Sequence, residues 1–377
     1  MIYLDYNASA PIALEVLNTV IEVMSSQMGN ADSRTHEYGA NSMAIVQSAR
    51  KSVAGMFAVD PQQVIFTSGA TESNNMVIQG LKDYGKQTNK KHIIISSVEH
   101  KSVLESAKAL SKYGFEVETV YPDDSGRVKA EDLLERVRPD TLLVGLMHVN
   151  NETGIIQPVD QIGKFLKKRG VLFLVDATQS AGKLIDEIQK LDYDFLSFSA
   201  HKFQGPQGIG GLIINSDVRL TPLMYGGHQE RGYRPGTVPV ALCAGLGKAC
   251  SLALENHLKN QNQLKELKTT VLKVIEDSKV KYSINGDPDY CVDSMINISF
   301  DDVSSEALMV LLKGICAVSN GSACTSNEYS LSYVLKSMGL PENQIEEALR
   351  ISWGPDTDEN ELKKAVADIC QIVLGFQ

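Results

Sequence analysis

The sequence predicts an α/β protein built around a mainly parallel seven-stranded sheet that lies between helices. Three observations support this fold class. Short β-branched runs alternate with helical patterns between about residues 60 and 215, which is typical of a parallel sheet covered by helices. Several of the runs end in polar residues. The 377-residue chain is 43% hydrophobic and 22% charged, enough for one large core and a second, smaller one.

The predicted strands come in order along the first half of the chain. They are residues 64–67, 92–96, 116–120, 141–149, 171–176, 195–199 and 209–214. In open α/β sheets, ligands bind outside the carboxyl ends of the strands. We therefore expect the functional site at that edge of the sheet.

The second half of the chain has a different pattern. Residues 243–280 are strongly helical and charged, which predicts one long helix that leaves the large domain. A strand at 295–300, an amphipathic helix at 304–313 and a final helix at 359–374 follow. We expect a large domain over residues 12–255, and a smaller α+β domain formed by residues 1–11 and 256–377.

Charge and hydropathy exclude several classes of protein. The formal net charge is −10 and no basic run is long enough to bind a phosphate backbone, so direct nucleic-acid binding is not expected. No apolar leader and no run of about 18 apolar residues is present, so we expect a cytoplasmic protein that does not span a membrane.

Cysteine spacing excludes a structural metal and a disulfide framework, since none of the six cysteines lies in a Cys-x-x-Cys or Cys/His cluster. Cys243, Cys250 and Cys370 lie in apolar helical patterns and are expected to be buried. Cys324 differs, because its neighbours are small and polar.

A glycine-bearing turn between a strand and a helix, residues 67–75, is a candidate anion site. Free N–H groups at a helix start attract anions, and Thr71 adds a hydroxyl donor. Helix capping by Ser68 or Thr71 explains the same residues equally well.

Two further strands are followed by polar residues that could bind a cofactor. Asp176 follows an apolar run, and its carboxylate and the Gln179 amide can hold polar atoms of one ring, although an aspartate here is more often a helix cap. Lys202 ends the sequence Ser-Ala-His-Lys, where desolvation and nearby positive charge favour a neutral amine able to form a Schiff base. Most lysines are only solvated charges, so the joint pattern of anion turn, aspartate and lysine carries the hypothesis.

The glycines at residues 205–211 do not indicate a dinucleotide-binding fold. They precede a strand instead of opening a helix, and their spacing is not Gly-x-Gly-x-x-Gly.

Taken together, these motifs closely resemble the cysteine desulfurases of the class V aminotransferase-like, fold-type I pyridoxal-phosphate enzymes. The resemblance runs nearly end to end, through residues 3–7, 67–75, 99–104, 148–154, 176–180, 199–202, 231–240 and 322–326. So many matches in order are far more specific than any single motif.

The resemblance implies a bound pyridoxal 5'-phosphate and a role for each matching residue. Lys202 would bond covalently to the cofactor and His100 would stack on its ring. Asp176 would bind the ring nitrogen and Gln179 the ring oxygen. The cofactor phosphate would be held by Thr71, Ser199, His201 and, reaching across from a neighbouring subunit, Thr237. The Thr237 role predicts a homodimer.

The resemblance also implies the reaction. Asn151 and Arg350 would hold the carboxylate of L-cysteine, and Cys324 would accept its sulfur as a persulfide, leaving L-alanine. Residues 319–329 are similar to the branch with an extended, mobile catalytic loop. His100 either moves the thiol proton or only stacks. Acceptor proteins for iron–sulfur cluster assembly or nucleic-acid thiolation would then take the sulfur.

Two other interpretations stay open. The first is another pyridoxal-phosphate lyase or aminotransferase, such as a selenocysteine lyase, and the second is a non-catalytic sulfur-relay scaffold. The chain also departs from the usual family pattern at Ala8-Ser9-Ala10, Ala200, His228 and Trp353. These departures bear on substrate affinity and on the partner surface.

Overall fold

The computed structural model describes residues 1–321 and 331–377. Its strands are β1 (Ile2–Tyr3), β2 (Val64–Thr67), β3 (His92–Ser96), β4 (Glu116–Val120), β5 (Thr141–Met147), β6 (Leu172–Asp176), β7 (Phe195–Ser199), β8 (Gly210–Ile214), β9 (Tyr282–Ile284), β10 (Met295–Phe300), β11 (Cys316–Ala317) and β12 (Ala348–Ser352).

Helices connect and cover these strands. They are α1 (Leu14–Ser26), α2 (Glu37–Phe57), α3 (Ala70–Gly80), α4 (Lys82–Gln87), α5 (Lys101–Leu110), α6 (Ala130–Leu134), α7 (Val159–Arg169), α8 (Ile185–Ile188), α9 (Val240–Glu255), α10 (His257–Ser278), α11 (Ser305–Leu311), α12 (Tyr333–Ser337), α13 (Glu342–Glu346) and α14 (Glu359–Leu374). Short 3-10 turns lie at Pro61–Gln63, Ser111–Tyr113, Ala200–Lys202, Gln229–Gly232 and Pro288–Tyr290.

The large sheet has seven strands in the order β2-β8-β7-β6-β5-β3-β4. Strands β3 to β7 pair in parallel, whereas β8 runs antiparallel to both of its neighbours, β2 and β7. The predicted fold class is confirmed, and each predicted strand forms with its ends displaced by two residues or fewer.

Both faces of this sheet are buried, as a covered parallel sheet requires. Side chains along β3 alternate between two apolar clusters: Ile94 packs into the cluster with α2 and α9, and Ile93 and Ile95 pack into the cluster with α3 and α5. Successive residues of a strand point to opposite faces, so one apolar run supplies both cores.

The C-terminal part of the chain builds a separate core. Strands β12, β10 and β9 form an antiparallel sheet, and β1 pairs in parallel with β11. Leu4 packs in the same apolar cluster as Ile298 and Val366, so the first residues join the last third of the chain. The domain boundaries at residues 11 and 255 stay a prediction.

The prediction of one long helix over residues 243–280 was wrong. The structure has two helices, α9 and α10, with Asn256 between them at φ −101° and ψ 6°. The Asn256 side chain donates to the Leu252 carbonyl at 2.9 Å. The Asn256 backbone N–H donates to the same carbonyl at 3.0 Å, so this residue closes the last turn of α9, and α10 begins directly after it.

Several smaller expectations concern burial and membrane insertion. Cys243, Cys250 and Cys370 are each at most 1% exposed, which confirms their packing role. The described cysteines are free thiols. No helix within residues 1–321 and 331–377 is long and apolar enough to cross a bilayer.

Candidate active site

Parallel strands place the predicted site residues at one edge of the large sheet. Because β2, β3, β5, β6 and β7 run in the same direction, their carboxyl ends lie together. Asp176 ends β6, Ser199 ends β7, and the turn after β2 leads into α3. This is the edge at which open α/β sheets bind ligands.

A cavity of about 240 Å³ lies at this edge. It is lined by nine of the residues predicted from sequence: Thr71, His100, Asn151, Asp176, Gln179, Ser199, His201, Lys202 and Arg350. Thr237 is exposed and does not line this cavity. Cys324 lies outside the described residues.

The turn before α3 leads into Ala70 and Thr71, which line the cavity. Capping of α3 by Ser68 or Thr71, the alternative to an anion site, does not occur: Gly69 is the N-cap, at φ +150°, and no side chain of the turn caps the helix. Instead, the Ala70 N–H donates to Ser199 Oγ at 2.8 Å, across from β7. The Ser199 hydroxyl hydrogen therefore remains available to a ligand.

His201 borders the same cavity and is uncharged near neutral pH. Burial, together with the charge of Lys202, lowers the pKa of His201 to about 4. Its Nδ1 lies 3.2 Å from Ser9 Oγ. A neutral imidazole at this position can still donate one hydrogen bond to an anion.

Asp176 is held by two hydrogen bonds that leave it facing the cavity. Its Oδ1 accepts from the Thr178 backbone N–H at 2.9 Å, and its Oδ2 accepts from Asn74 Nδ2 at 2.8 Å. Asp176 is 4% exposed and Asn74 is fully buried. Asn74 lies within the motif of residues 67–75, but sequence analysis gave it no role.

Asn74 also connects Asp176 to His100. Its Nδ2 donates to Ser102 Oγ at 2.9 Å, and its Oδ1 accepts from Ser197 Oγ at 2.6 Å. His100 Nδ1 accepts from the Ser102 backbone N–H at 3.2 Å. Because an accepting nitrogen carries no hydrogen, this assigns the hydrogen of the neutral ring to Nε2.

The charge state of His100 follows from its surroundings. Burial lowers the pKa of His100, and the positive charges of Lys202 and Lys101 act in the same direction, while Asp176 opposes them. His100 is therefore a neutral imidazole near neutral pH. It lines the cavity.

Lys202 lines the same cavity as Asp176 and His100. It ends the 3-10 turn that follows β7. Its Nζ donates to the backbone carbonyls of Asn7 at 2.7 Å and Ala8 at 2.9 Å. The N-terminal segment thus holds the lysine side chain at the cavity wall. Gln179 Nε2 donates to the same Asn7 carbonyl at 3.0 Å.

Arg350 and Asn151 form a second polar region of the cavity. Arg350 is 2% exposed, and its two terminal nitrogens donate to Asn151 O at 2.9 Å and to Asp5 Oδ1 at 2.7 Å. Arg350 Nε and Asn151 Oδ1 are buried and have no hydrogen-bond partner within residues 1–321 and 331–377. Buried polar atoms are normally paired, so these two indicate a place for a polar ligand.

Two buried glutamates near the cavity were missed by sequence analysis. Burial raises the pKa of Glu152, which lines the cavity, to about 7, against the opposing influence of Ser332 and Arg350. Burial likewise raises the pKa of Glu99 to about 8. Both residues lie in motifs that sequence analysis noted, but no sequence signal distinguishes a buried glutamate from an exposed one.

Comparison with known proteins agrees with this geometry. Residues 2–364 match the model of the family Aminotransferase class-V. The chain is 41% identical over 373 residues to the cysteine desulfurase IscS of Vibrio vulnificus, covering 98% of this chain and 91% of that protein.

Solved structures show the same relationship. A NifS-like protein superposes with a TM-score of 0.91 at 34% identity, with full coverage of both chains. SspA, solved in complex with cysteine, superposes with a TM-score of 0.82 at 33% identity over 94% of this chain and 99% of SspA. The chain therefore belongs to the class-V aminotransferase family of pyridoxal-phosphate enzymes and, within it, to the cysteine desulfurases.

Proposed function

We propose that this protein converts L-cysteine to L-alanine and transfers the sulfur to Cys324 as a persulfide. One observation carries the proposal: nine residues to which the motifs and the family resemblance give a role line one cavity. A scaffold without a cofactor would not require this arrangement of a lysine, an aspartate and an anion-binding turn.

The residues of the cavity fit pyridoxal 5'-phosphate. The start of α3, Thr71, Ser199 and His201 supply donors for a phosphate, as helix starts commonly do. Asp176 supplies a carboxylate for a protonated ring nitrogen. Thr178 Oγ1, buried on the cavity wall without a partner, adds an unsatisfied polar atom that a ligand can pair.

Arg350 and Asn151 would bind the carboxylate of the substrate. Arg350 Nε has no partner among the described residues and its terminal nitrogens each carry a second hydrogen, so the guanidinium can still offer two parallel donors. Asp5 fixes the orientation of the guanidinium from the far side. Substrate binding would thus begin at a preformed site.

Lys202 and His100 would handle protons. When bound, pyridoxal phosphate withdraws electrons from the Cα of the amino acid. Lys202 Nζ, which the Asn7 and Ala8 carbonyls hold at the cavity wall that Asp176 also lines, would then remove the α-proton. His100, neutral and with its hydrogen on Nε2, either donates that hydrogen or only stacks on the ring.

The sulfur step requires a thiolate at Cys324. This thiolate attacks the substrate sulfur, so that an S–S bond forms while the C–S bond breaks and its electron pair stays with the carbon fragment. Protonation of that fragment gives alanine. The outer sulfur of the persulfide then passes to a thiol or to an acceptor protein. There it is reduced to sulfide or incorporated into a product.

We also propose a cytoplasmic homodimer that delivers sulfur to acceptor proteins for iron–sulfur cluster assembly or nucleic-acid thiolation. Exposure of Thr237 is compatible with contact to a neighbouring subunit. Two-fold dimers are the commonest oligomers, and such a dimer would place each Thr237 near its neighbour's cofactor. Sedimentation at micromolar protein concentration tests this, and a fully active monomer would contradict the Thr237 role.

The reaction itself is tested by incubating the purified, cofactor-loaded protein with L-cysteine and a reductant. Alanine and sulfide in equal amounts support desulfuration. Pyruvate, or alanine formed only from selenocysteine, would favour one of the alternative pyridoxal-phosphate reactions.

A further inference from the structure

A second cavity, of about 540 Å³, lies on the other side of Lys202. Among the residues that the structure describes, only Lys202 lines both cavities. Tyr6 lines the second cavity, whereas the next residues, Asn7 and Ala8, line the first. The N-terminal segment therefore separates the two spaces.

The wall of this second cavity contains two buried donors without partners. Trp353 is 1% exposed and Ser294 is 2% exposed. In the part of the chain that the structure describes, neither Trp353 Nε1 nor Ser294 Oγ has a hydrogen-bond partner, although the Trp353 backbone N–H donates to Ser294 O at 2.9 Å. An indole N–H can only donate, so a ligand with an acceptor atom would satisfy it. Trp353 is also a position at which the sequence departs from the family pattern.

Lys183 adds positive charge to the same wall. Its Nζ lies 3.5 Å from Gln179 Oε1. Burial, reinforced by the charges of Lys202 and Arg350, lowers the pKa of Lys183 to about 7. A bound anion would relieve this repulsion and hold the lysine in its charged form.

The opposite charge lines the outer part of the cavity. Asp356 and Glu15 both border it and are exposed, and the exposed Lys259 borders it as well. Asp356 Oδ1 accepts from Tyr6 OH at 3.2 Å, which fixes the position of that carboxylate. Because one cavity holds both buried donors and exposed carboxylates, it matches neither a ligand that is only an anion nor one that is only a cation.

We propose that this second cavity binds a free α-amino acid. Its carboxylate would contact Trp353, Ser294 and Lys183, and its ammonium group would face Asp356 and Glu15. This site is separate from the substrate site at Arg350, and the proposal does not depend on the roles of Lys202 or Cys324.

Trp353 makes the proposal directly testable, because it is the single tryptophan of the chain. The cofactor-loaded protein is titrated with L-alanine, propionate and ethylamine while tryptophan fluorescence is recorded. Propionate lacks the ammonium group of alanine, and ethylamine lacks its carboxylate. We expect a saturable change with alanine and binding at least about tenfold weaker for the other two, since each loses charge-assisted hydrogen bonds.

Variants distinguish this site from the first cavity. Lys183→Met should weaken alanine binding at least about tenfold, and Ser294→Ala by about threefold to tenfold, the range for one charged or one neutral hydrogen bond. Lys190→Met, which removes an exposed lysine on the same segment, should bind alanine as the unchanged protein does. Ser294→Ala deletes an atom without a partner, so it tests the site even where Lys183→Met folds poorly.

The visible absorption of the cofactor is recorded in parallel as a monitor of the first cavity. The proposal is overturned where alanine gives no saturable fluorescence change, or where all three ligands act alike. It is also overturned where Lys183→Met and Ser294→Ala both keep the original midpoint, because the fluorescence would then report binding beside the cofactor.

Discussion

Asn74 Nδ2 donates to Asp176 Oδ2 at 2.8 Å inside the large domain. The same amide nitrogen donates to Ser102 Oγ, which lies 2.8 Å from His100 Nδ1. An asparagine orients the carboxylate without adding a charge of its own, so the negative charge of Asp176 stays available to a cationic ring nitrogen. One uncharged side chain thus positions the residues proposed to bind and to stack on the ring.

Replacing Asn74 by alanine should therefore weaken cofactor binding. The change removes one hydrogen bond from each of Asp176, Ser102 and Ser197, and a buried polar group that loses its partner costs about 1–3 kcal/mol. We expect cofactor affinity to fall at least about tenfold and thermal stability to fall with it. Equilibrium dialysis measures the affinity. Asn75→Ala, which removes a partly exposed amide on the same helix, is the control; equal losses in both variants would contradict a specific role for Asn74.

Lys202→Ala should remove the visible absorption that comes from cofactor bonded to the protein, together with desulfuration. The lysine makes hydrogen bonds to the Asn7 and Ala8 carbonyls, but the site is built mainly by other residues, so the fold should persist. Absorption spectroscopy and circular dichroism measure the two effects. Lys190→Ala should match the unchanged protein. A Lys202→Ala variant with the original absorption band would show that another lysine holds the cofactor.

Cys324→Ser should keep cofactor and substrate binding but reduce sulfide release to the level seen without protein. A serine hydroxyl is far less ionised than a thiol and cannot store sulfur. The matched control is Cys291→Ser. Burial raises the pKa of Cys291 to about 11, so its thiol stays protonated and unreactive, and its replacement should leave sulfide release unchanged. Full activity in Cys324→Ser would point to direct lyase chemistry.

Glu99→Gln should change how stability depends on pH. Burial raises the pKa of Glu99 from 4.5 to about 8, so between these values the folded protein binds the proton more often than the unfolded chain does. The free energy of unfolding then falls as pH rises from about 5 to about 8, with a slope of up to about 1.4 kcal/mol per pH unit from this residue.

Glutamine cannot titrate, so this part of the pH dependence should disappear in Glu99→Gln. Thermal denaturation at several pH values measures it, and Glu105→Gln, at an exposed glutamate on α5, is the control. An unchanged pH dependence in Glu99→Gln would mean that Glu99 is already ionised in the folded protein.

Much of the fold could be predicted because its signals are local. Strand β3 reads as a β-branched run in the sequence, and the same run supplies both sheet faces in the structure. The break at Asn256 escaped prediction because helical composition continues on both sides of it. Asn256 closes the last turn of α9 there, because its side chain and its backbone N–H both bond back to Leu252.

By itself, the sequence determined which residues end the strands, and hence that Asp176 and Ser199 lie at one edge of a parallel sheet. It also determined the family, through many ordered motifs. Only the tertiary structure decided which hydrogen bonds these residues make and which pKa values are shifted. Asn74 reaches Asp176 across 102 positions of sequence, and burial is the main cause that raises the pKa of Glu99 and Glu152. Local patterns fix secondary structure, whereas contacts and desolvation depend on how distant segments pack.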